Sequence, residues 1–132
     1  MEIKHINPEN MVKPRGYSYA ISISGNHKTI YIGGQNAIDK NGILIGKNNL
    51  KQQTEQVLIN IDKILNVAGA NFKNIIKFNI HLLQGQNAQE GFQVFQEKWS
   101  DKENFPVVTV LFVAGLGNPD FLIEIDAIAV IK

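Results

Sequence analysis

The sequence predicts an α+β fold, a two-layer sandwich in which two helices cover one face of a mixed β-sheet. Two segments repeat apolar residues every three or four positions, as amphipathic helices do. Five others alternate apolar and polar residues, or run apolar between turn residues, as strands do. The elements follow the order β-β-α-β-α-β-β. The length of 132 residues suits one domain that covers residues 1–132.

The first two strands are predicted at residues 17–24 and 29–33. The first alternates aromatic or apolar residues with small ones, and the second is rich in isoleucine and tyrosine. A glycine–asparagine pair separates them, so we expect them to form a hairpin. The turn-rich residues 36–48 come next, with space for one short extra strand near residues 43–45.

Both helices are marked by apolar stripes and by residues that cap helix ends. The first stripe consists of Leu50, Thr54, Val57, Leu58, Ile61, Ile64, Leu65 and Ala68. Asn48 or Asn49 can cap the start of this helix, and Gly69 stands where a left-handed residue commonly ends one. The second helix begins at Asn87, which opens a capping-box pattern with Glu90. Its stripe, which we interpret as core, consists of Ala88, Phe92, Phe95 and Trp99.

Three further strands are predicted at residues 75–83, 107–113 and 122–131, and Pro106 separates them from the second helix. The first of the three alternates apolar residues with polar ones such as His81, so it has one apolar face. The other two strands are apolar at most positions. A sheet face that is partly apolar and not covered by helices is expected to be buried against other subunits, so we expect an oligomer.

The composition argues against several classes of function. Hydrophobic residues make up 44% of the chain, charged residues 19%, and the net charge is +1. We expect no membrane segment and no signal peptide, because no apolar run is long enough. Cysteine is absent and the three histidines lie far apart, so we expect no metal site and a cytoplasmic location. The basic residues are scattered, which argues against nucleic-acid binding.

Several short motifs occur in an order and spacing that resemble one known family. They are Arg15-Gly16-Tyr17-Ser18, Gly33-Gly34-Gln35, the helix pattern Gln56, Asn60, Leu65, Ala68 and Gly69, the pair Phe105-Pro106, and the final run from Ile123 to Ala129. No single motif is specific, but together they span essentially the whole chain. On this basis the sequence is similar to the reactive intermediate deaminase family (RidA/YjgF), also described as endoribonuclease L-PSP.

The resemblance implies a chorismate mutase-like fold assembled as a homotrimer, with a small-molecule cleft at each subunit interface. Members of the family hydrolyse enamines or imines to a keto acid and ammonia without a cofactor. In those members an arginine two residues after the proline binds the substrate carboxylate through paired hydrogen bonds. This chain has Val108 there, with Phe92 and Val110 where the family cleft has an asparagine and a cysteine. It therefore resembles an arginine-less branch, and we expect weak or no deamination of 2-iminobutanoate and 2-iminopropanoate.

Glu124 is the candidate catalytic residue, because the family uses this acid to orient or deprotonate the attacking water. A carboxylate between Ile123 and Ile125 on a buried strand is suited to act as a general base. The alternative is a structural carboxylate that accepts hydrogen bonds at a subunit interface. Asp126 lies on the same strand face, at a position without a catalytic role in the family, and we interpret it as structural.

The other candidate residues would bind the ligand. Tyr17 can donate a hydrogen bond to a ligand oxygen or pack at an interface. Gly34 either lets the backbone approach a ligand closely or simply ends a strand, and the amide of Gln35 either bonds a ligand or holds the next loop. Arg15, the only arginine, either supplies the guanidinium missing at Val108 or lies in solvent.

Two functions remain open at this point. The first is cofactor-free hydrolysis of a small imine or enamine in the intersubunit cleft. The second is a non-catalytic module that binds a small metabolite, or regulates a partner enzyme, through the same cleft. Loss of the arginine favours the second and, under the first, favours a less anionic substrate. An endoribonuclease or translation inhibitor has little support in the charge and aromatic pattern.

Overall fold

The computed structural model describes all residues from 1 to 132. Its strands are β1 (Glu2–Ile6), β2 (Ala20–Ser24), β3 (Lys28–Gln35), β4 (Ile75–Leu83), β5 (Val107–Val113) and β6 (Ile123–Ile131). Its helices are α1 (Leu50–Val67) and α2 (Ala88–Lys98), with one 3-10 turn at Phe72–Asn74. Neither α-helix combines the length and the apolar character that crossing a bilayer requires.

Four of the strands form one mixed sheet in the order β3-β6-β4-β5, in which only β4 and β5 run parallel. Alternate residues of β4 and β6, among them Phe78 and Ile125, are buried in one core with residues of both helices. This arrangement confirms the predicted two-layer α+β sandwich. The opposite face of the sheet, which carries His81 and Glu124, has no helix on it and is called the open face below.

The N-terminal strands pair differently from the prediction. The chain turns after β2, where Gly25 has a φ of +84°, but β2 pairs with β1, and β3 pairs with β6. The predicted β2–β3 hairpin is therefore wrong, and the element order gains β1 at its start. Pairing with β6 lets β3 bury Ile32 in the core, which an isolated two-stranded hairpin cannot offer. Near the short strand expected at residues 43–45, only a single bridge forms, between Ile38 and Leu44.

Both helices begin at an asparagine, as predicted. The Oδ1 atoms of Asn49 and Asn87 each accept a hydrogen bond of 3.0 Å from a backbone N–H in the first turn. The Glu90 side chain does not accept a hydrogen bond from the backbone N–H of Asn87, so α2 has an N-cap without the full capping box. After α1, Gly69 has a φ of +79°, and the next backbone N–H donates to the carbonyl of Leu65 at 2.8 Å. This left-handed ending is the one predicted.

Phe95 of helix α2 and Trp99, the residue that follows its last turn, contribute to the core. Their rings pack with those of Phe72 and Phe78 in one aromatic cluster. The prediction that Phe92 also belongs to the core is wrong, because this ring is half-buried and borders a cavity. Phe92 faces the outermost strand, β5, beyond which the sheet offers no further cover.

Strand β5 forms one edge of the sheet and exposes apolar side chains. Val110, Leu111 and Phe112 are 36%, 52% and 54% exposed. The side of β5 that faces away from β4 pairs with no strand in this chain. At the opposite edge of the sheet, β3 exposes Tyr31. The large apolar side chains that this sheet exposes therefore lie on its two edge strands, and one of them, Val110, is on the helix-covered side and not on the open face.

Candidate functional site

Glu124 lies on the open face of the sheet, directly across from His81 on β4. In the next row, Nδ2 of Asn79 donates a hydrogen bond to Oδ1 of Asp126 at 2.8 Å. This bond engages Asp126 within the sheet, as a structural role requires. By contrast, Nδ1 of His81 is buried and has no hydrogen-bond partner in the chain. Such unpaired buried atoms are rare in proteins.

The carboxylate of Glu124 packs against the backbone of Gly34, where the pairing of β3 with β6 is irregular. A Cβ atom on Gly34 would lie 2.8 Å from both Cδ and Oε2 of Glu124, too close for any real contact, whereas a Cβ on Gly33 would meet nothing. The absence of a side chain at Gly34 thus leaves the space that the Glu124 carboxylate occupies. The side chain of Gln35 bonds locally, since its Nε2 donates to the carbonyl of Gly33 at 3.1 Å.

Three other candidates meet on the helix-covered side of the sheet. Phe92, Val108 and Val110 line a cavity of about 250 Å³ between α2 and the sheet. Nine of its twelve lining residues are hydrophobic. The full lining is Thr54, Ile80, Leu82, Ala88, Gln89, Gly91, Phe92, Phe95, Val108, Val110, Ile123 and Ile125. Val108, which stands where the resemblance implies a carboxylate-binding arginine, is part of this apolar lining.

Arg15 and Tyr17 lie in the segment before β2. Arg15 is exposed and shares with Phe92 the lining of a neighbouring groove at the C-terminal half of α2. The ring of Tyr17 packs edge-on against Tyr19, with the ring centroids 5.6 Å apart. Desolvation, and then the neighbouring Tyr17 hydroxyl, raises the pKa of the Tyr19 phenol, which donates to the carbonyl of Val12 at 2.6 Å. Arg15 therefore borders α2, and Tyr17 lies with it in a groove lined by Lys102, Glu103 and Phe105 of the segment between α2 and β5.

Ser18 is a residue of this region whose role the sequence patterns do not reveal. Its side chain is 4% exposed, its Oγ donates to the carbonyl of Phe105 at 2.6 Å, and its backbone N–H donates to the carbonyl of Pro106 at 2.9 Å. His5 on β1 contacts the same Oγ through Nδ1 at 2.9 Å. Ser18 thus joins the N-terminal segment to the start of β5 and fixes Tyr17 relative to Val108. In the sequence, the one indication of this contact was that the motif containing Ser18 and the pair Phe105-Pro106 both belong to the set that resembles one family.

The helix motif identified in the sequence has a structural explanation. Nε2 of Gln56 donates to Oδ1 of Asn60, whose Nδ2 donates to the carbonyls of Asn36 and Ile38 at 3.1 and 2.9 Å. These bonds anchor the loop that follows β3 to helix α1. They hold in place the strand end that carries Gly34.

A single chain does not collect all the candidate residues in one place. Successive residues on a strand point to opposite faces of the sheet. Ile123 and Ile125 line the cavity, so Glu124 between them faces the other way. The structure brings Glu124 together with Gly34, and Phe92 together with Val108 and Val110. Within one chain the sheet itself separates these two groups.

Comparison with known proteins shows what the chain is similar to. A sequence model of the family described as endoribonuclease L-PSP matches residues 9–131. A RutC family protein of Pyrococcus horikoshii is 38% identical over 122 residues, covering 92% of each chain. The human 2-iminobutanoate/2-iminopropanoate deaminase is 29% identical, and the match covers 86% of this chain and 79% of that protein. A solved structure, the Rid family protein YyfB of Yersinia pestis, is 33% identical, with a TM-score of 0.82 and 98% of each chain covered.

Proposed function

This chain belongs to the endoribonuclease L-PSP family, which includes the RidA/YjgF proteins, and from that premise we propose that it hydrolyses small imines or enamines without a cofactor. The observation that carries the proposal is the position of Glu124. Its carboxylate is held against the backbone of Gly34, in contact with a part of the chain that has no side chain to exclude a ligand. Glu124 would act as the general base toward water, and Tyr17 with backbone groups at Gly34 and Val110 would hold the ligand.

In the proposed reaction, the oxygen of a water molecule bonds to the imine carbon while Glu124 accepts a proton from that water. The electron pair of the C=N bond moves to the nitrogen, which takes the proton from Glu124, giving a carbinolamine. Glu124 then removes the hydroxyl proton and delivers it to the amine. The C–N bond breaks, and the products are a carbonyl compound and ammonia. An enamine enters the same sequence after tautomerising to the imine.

The site is completed between subunits in this proposal. Glu124 and the α2–β5 cavity lie on opposite faces of the sheet. Glu124 is on β6, two strands and about 10 Å from β5, where the cavity opens. A second chain could place its own cavity beside Glu124. The unpaired Nδ1 of His81 and the exposed apolar side chains of β5 both favour contacts from another chain. We propose a homotrimer with three such clefts.

The trimer makes a direct prediction for the purified protein. We expect light scattering coupled to gel filtration to give three times the 14.7 kDa chain mass at micromolar concentration. The physical reason is that Leu111, Phe112 and Tyr31 would otherwise stay in water. A stable monomer under these conditions would contradict the intersubunit cleft and the mechanism built on it.

The proposed activity is tested by following imine decay in the presence of the protein. An amine oxidase acting on 2-phenylethylamine generates a neutral imine in situ, and a pyridoxal-phosphate dehydratase generates 2-iminopropanoate. We expect the protein to accelerate decay of the neutral imine over the spontaneous rate, and to act far less on 2-iminopropanoate, because Val108 offers no partner to a carboxylate. Acceleration of neither imine would reject hydrolysis and leave the second function below.

A non-catalytic module that binds a metabolite is the second candidate, and Val108 is the observation that favours it. The same apolar cavity and the same Tyr17 would hold a ligand with no reaction following. In that case Arg15 has a distinct use. It lies beside Phe92 on the rim of the site, where an exposed guanidinium can bind the polar end of a ligand.

A further inference from the structure

The cavity between α2 and the sheet exists because α2 has small residues on its inner face. Ala88 and Gly91 lie one turn apart and both line it. A Cβ atom on Gly91 would already come within 3.4 Å of Oγ1 of Thr54, so the helix backbone lies close to α1 at that point. The deep wall consists of residues that are almost fully buried, such as Ile123 and Ile125. The cavity therefore reaches from the β5 edge into the core.

The chemistry of the lining selects against charge. None of the twelve lining residues is ionisable, and the two with polar side chains are Thr54 and Gln89. The hydroxyl of Thr54 already donates to the carbonyl of Leu50 at 2.8 Å. A carboxylate placed here would lose its hydration without gaining a cation or a set of N–H donors, which is strongly unfavourable. A hydrocarbon group would gain by leaving water.

The size of the cavity indicates how large that group is. A dry apolar cavity of about 150 Å³ is enough to bind benzene. The cavity in this chain measures about 250 Å³, which suits a six-membered ring with a short chain, or a branched alkyl group. Phe92, Val108 and the partly exposed Val110 lie at the end nearest the sheet edge. A ligand whose ring points inward would present its remaining atoms at this edge.

From these observations we propose that the α2–β5 cavity is a specificity pocket that receives an aryl or branched alkyl group of a neutral ligand. The identification of the ligand as an imine rests on the proposed function, whereas the apolar pocket itself is inferred from the cavity. The C=N group of the imine then lies at the sheet edge, where Glu124 of a second chain meets it. The class of substrate is a neutral aralkyl or branched alkyl imine or enamine, and the corresponding product is a neutral ketone or aldehyde.

Binding of product analogues tests the pocket independently of turnover. Phenylacetone carries a ring and a neutral carbonyl, and pyruvate carries a carboxylate on a smaller carbonyl compound. We expect titrations followed by saturation-transfer NMR to show saturable binding of phenylacetone, and binding of pyruvate at least about tenfold weaker. Absence of saturable phenylacetone binding to the wild-type protein would overturn the proposal. This outcome includes the case in which a side chain from a second copy of the chain already fills the cavity.

Two variants locate the binding, and one serves as a control. Ala88→Leu fills the cavity from the helix side, and Val110→Phe covers its edge from an exposed strand position that does not support the core. Each should weaken phenylacetone binding by about tenfold or more, the effect of losing two or so methylene contacts. Gln93→Leu adds a leucine to the exposed face of α2, outside the cavity lining, and should bind as wild type. Unchanged binding in both cavity variants, with melting temperatures near wild type, would contradict the assignment.

The binding and imine assays separate failure of the pocket from failure of the proposed function. Glu124→Gln leaves every residue of the cavity lining in place, so it should retain saturable phenylacetone binding while it loses imine hydrolysis. Binding without hydrolysis of any imine would support the pocket and reject the reaction. Hydrolysis of the neutral imine without phenylacetone binding would keep the reaction and reject the pocket.

Discussion

Replacing Glu124 by glutamine should lower hydrolysis of the neutral imine by about 10²–10⁴, the usual contribution of a general base. Glutamine keeps the shape of the side chain and one acceptor oxygen but cannot take a proton from water. The measurement is the rate of imine decay at saturating protein, with the melting temperature and the trimer mass recorded on the same samples. A structural Glu124 would instead show a lower melting temperature, because a mispaired buried group costs about 1–3 kcal/mol.

Two neighbouring glycines supply a matched control for this experiment. Gly34→Ala places a methyl group where the Glu124 carboxylate lies, so the carboxylate is displaced although its chemistry is intact. Gly33→Ala adds the same methyl group one residue earlier, where it meets nothing, and neither glycine has a positive φ. We expect Gly34→Ala to lose activity and Gly33→Ala to retain it. Full activity in Glu124→Gln, with melting as in wild type, would remove Glu124 from the mechanism and favour the binding module.

Installing the missing arginine as Val108→Arg should raise turnover of 2-iminopropanoate by as much as about a thousandfold. A charge-assisted, paired hydrogen bond to a desolvated carboxylate contributes several kcal/mol, and about 1.4 kcal/mol corresponds to each factor of ten. The same change should reduce decay of the neutral imine, because a cation then lies in an apolar cavity. Both rates are measured with the in situ imine sources, on protein shown to remain assembled.

Val108→Lys is the control for the planar guanidinium. Lysine adds the same charge at the same position, but it cannot form the paired bonds to a carboxylate, so its gain should be much smaller. Equal gains in both variants would mean that charge alone limits the wild-type protein. Wild-type turnover of 2-iminopropanoate comparable with that of an arginine-bearing relative would show that Val108 does not limit this activity at all.

The elements predicted well are those whose signal is local and repeated. Strands β4 and β5 have the predicted bounds. Helix α1 is capped by Asn49, one of the two predicted residues, and the left-handed Gly69 follows its end as predicted. The pairing of β3 was not predictable in the same way. The turn at Gly25 is a local property, but the choice of β6 as the partner of β3 depends on a strand at the far end of the chain. What decided it was burial of Ile32 in the core.

In the candidate site, too, the individual residues could be predicted from the sequence, but their contacts could not. Motif resemblance identified Glu124, Gly34 and Val108 one by one, but spacing along the chain does not give their contacts. The approach of the Glu124 carboxylate to Gly34 arises from the irregular pairing of β3 with β6, which no periodicity encodes. The placement of Phe92 beside a cavity depends equally on the sheet ending at β5. Both facts belong to tertiary structure.

The unpaired edge of β5 also affects how easily the newly synthesised chain aggregates. All seven residues of this strand are uncharged, six of them are aliphatic or aromatic, and it contains no proline. Segments of this kind, left as unpaired edges, add strands from other molecules and nucleate fibrils. A newly folded single chain therefore carries an aggregation-prone segment on its surface. If the proposed trimer forms, a substitution that weakens its interface would leave this segment exposed for longer at the same protein concentration and increase the risk of misassembly.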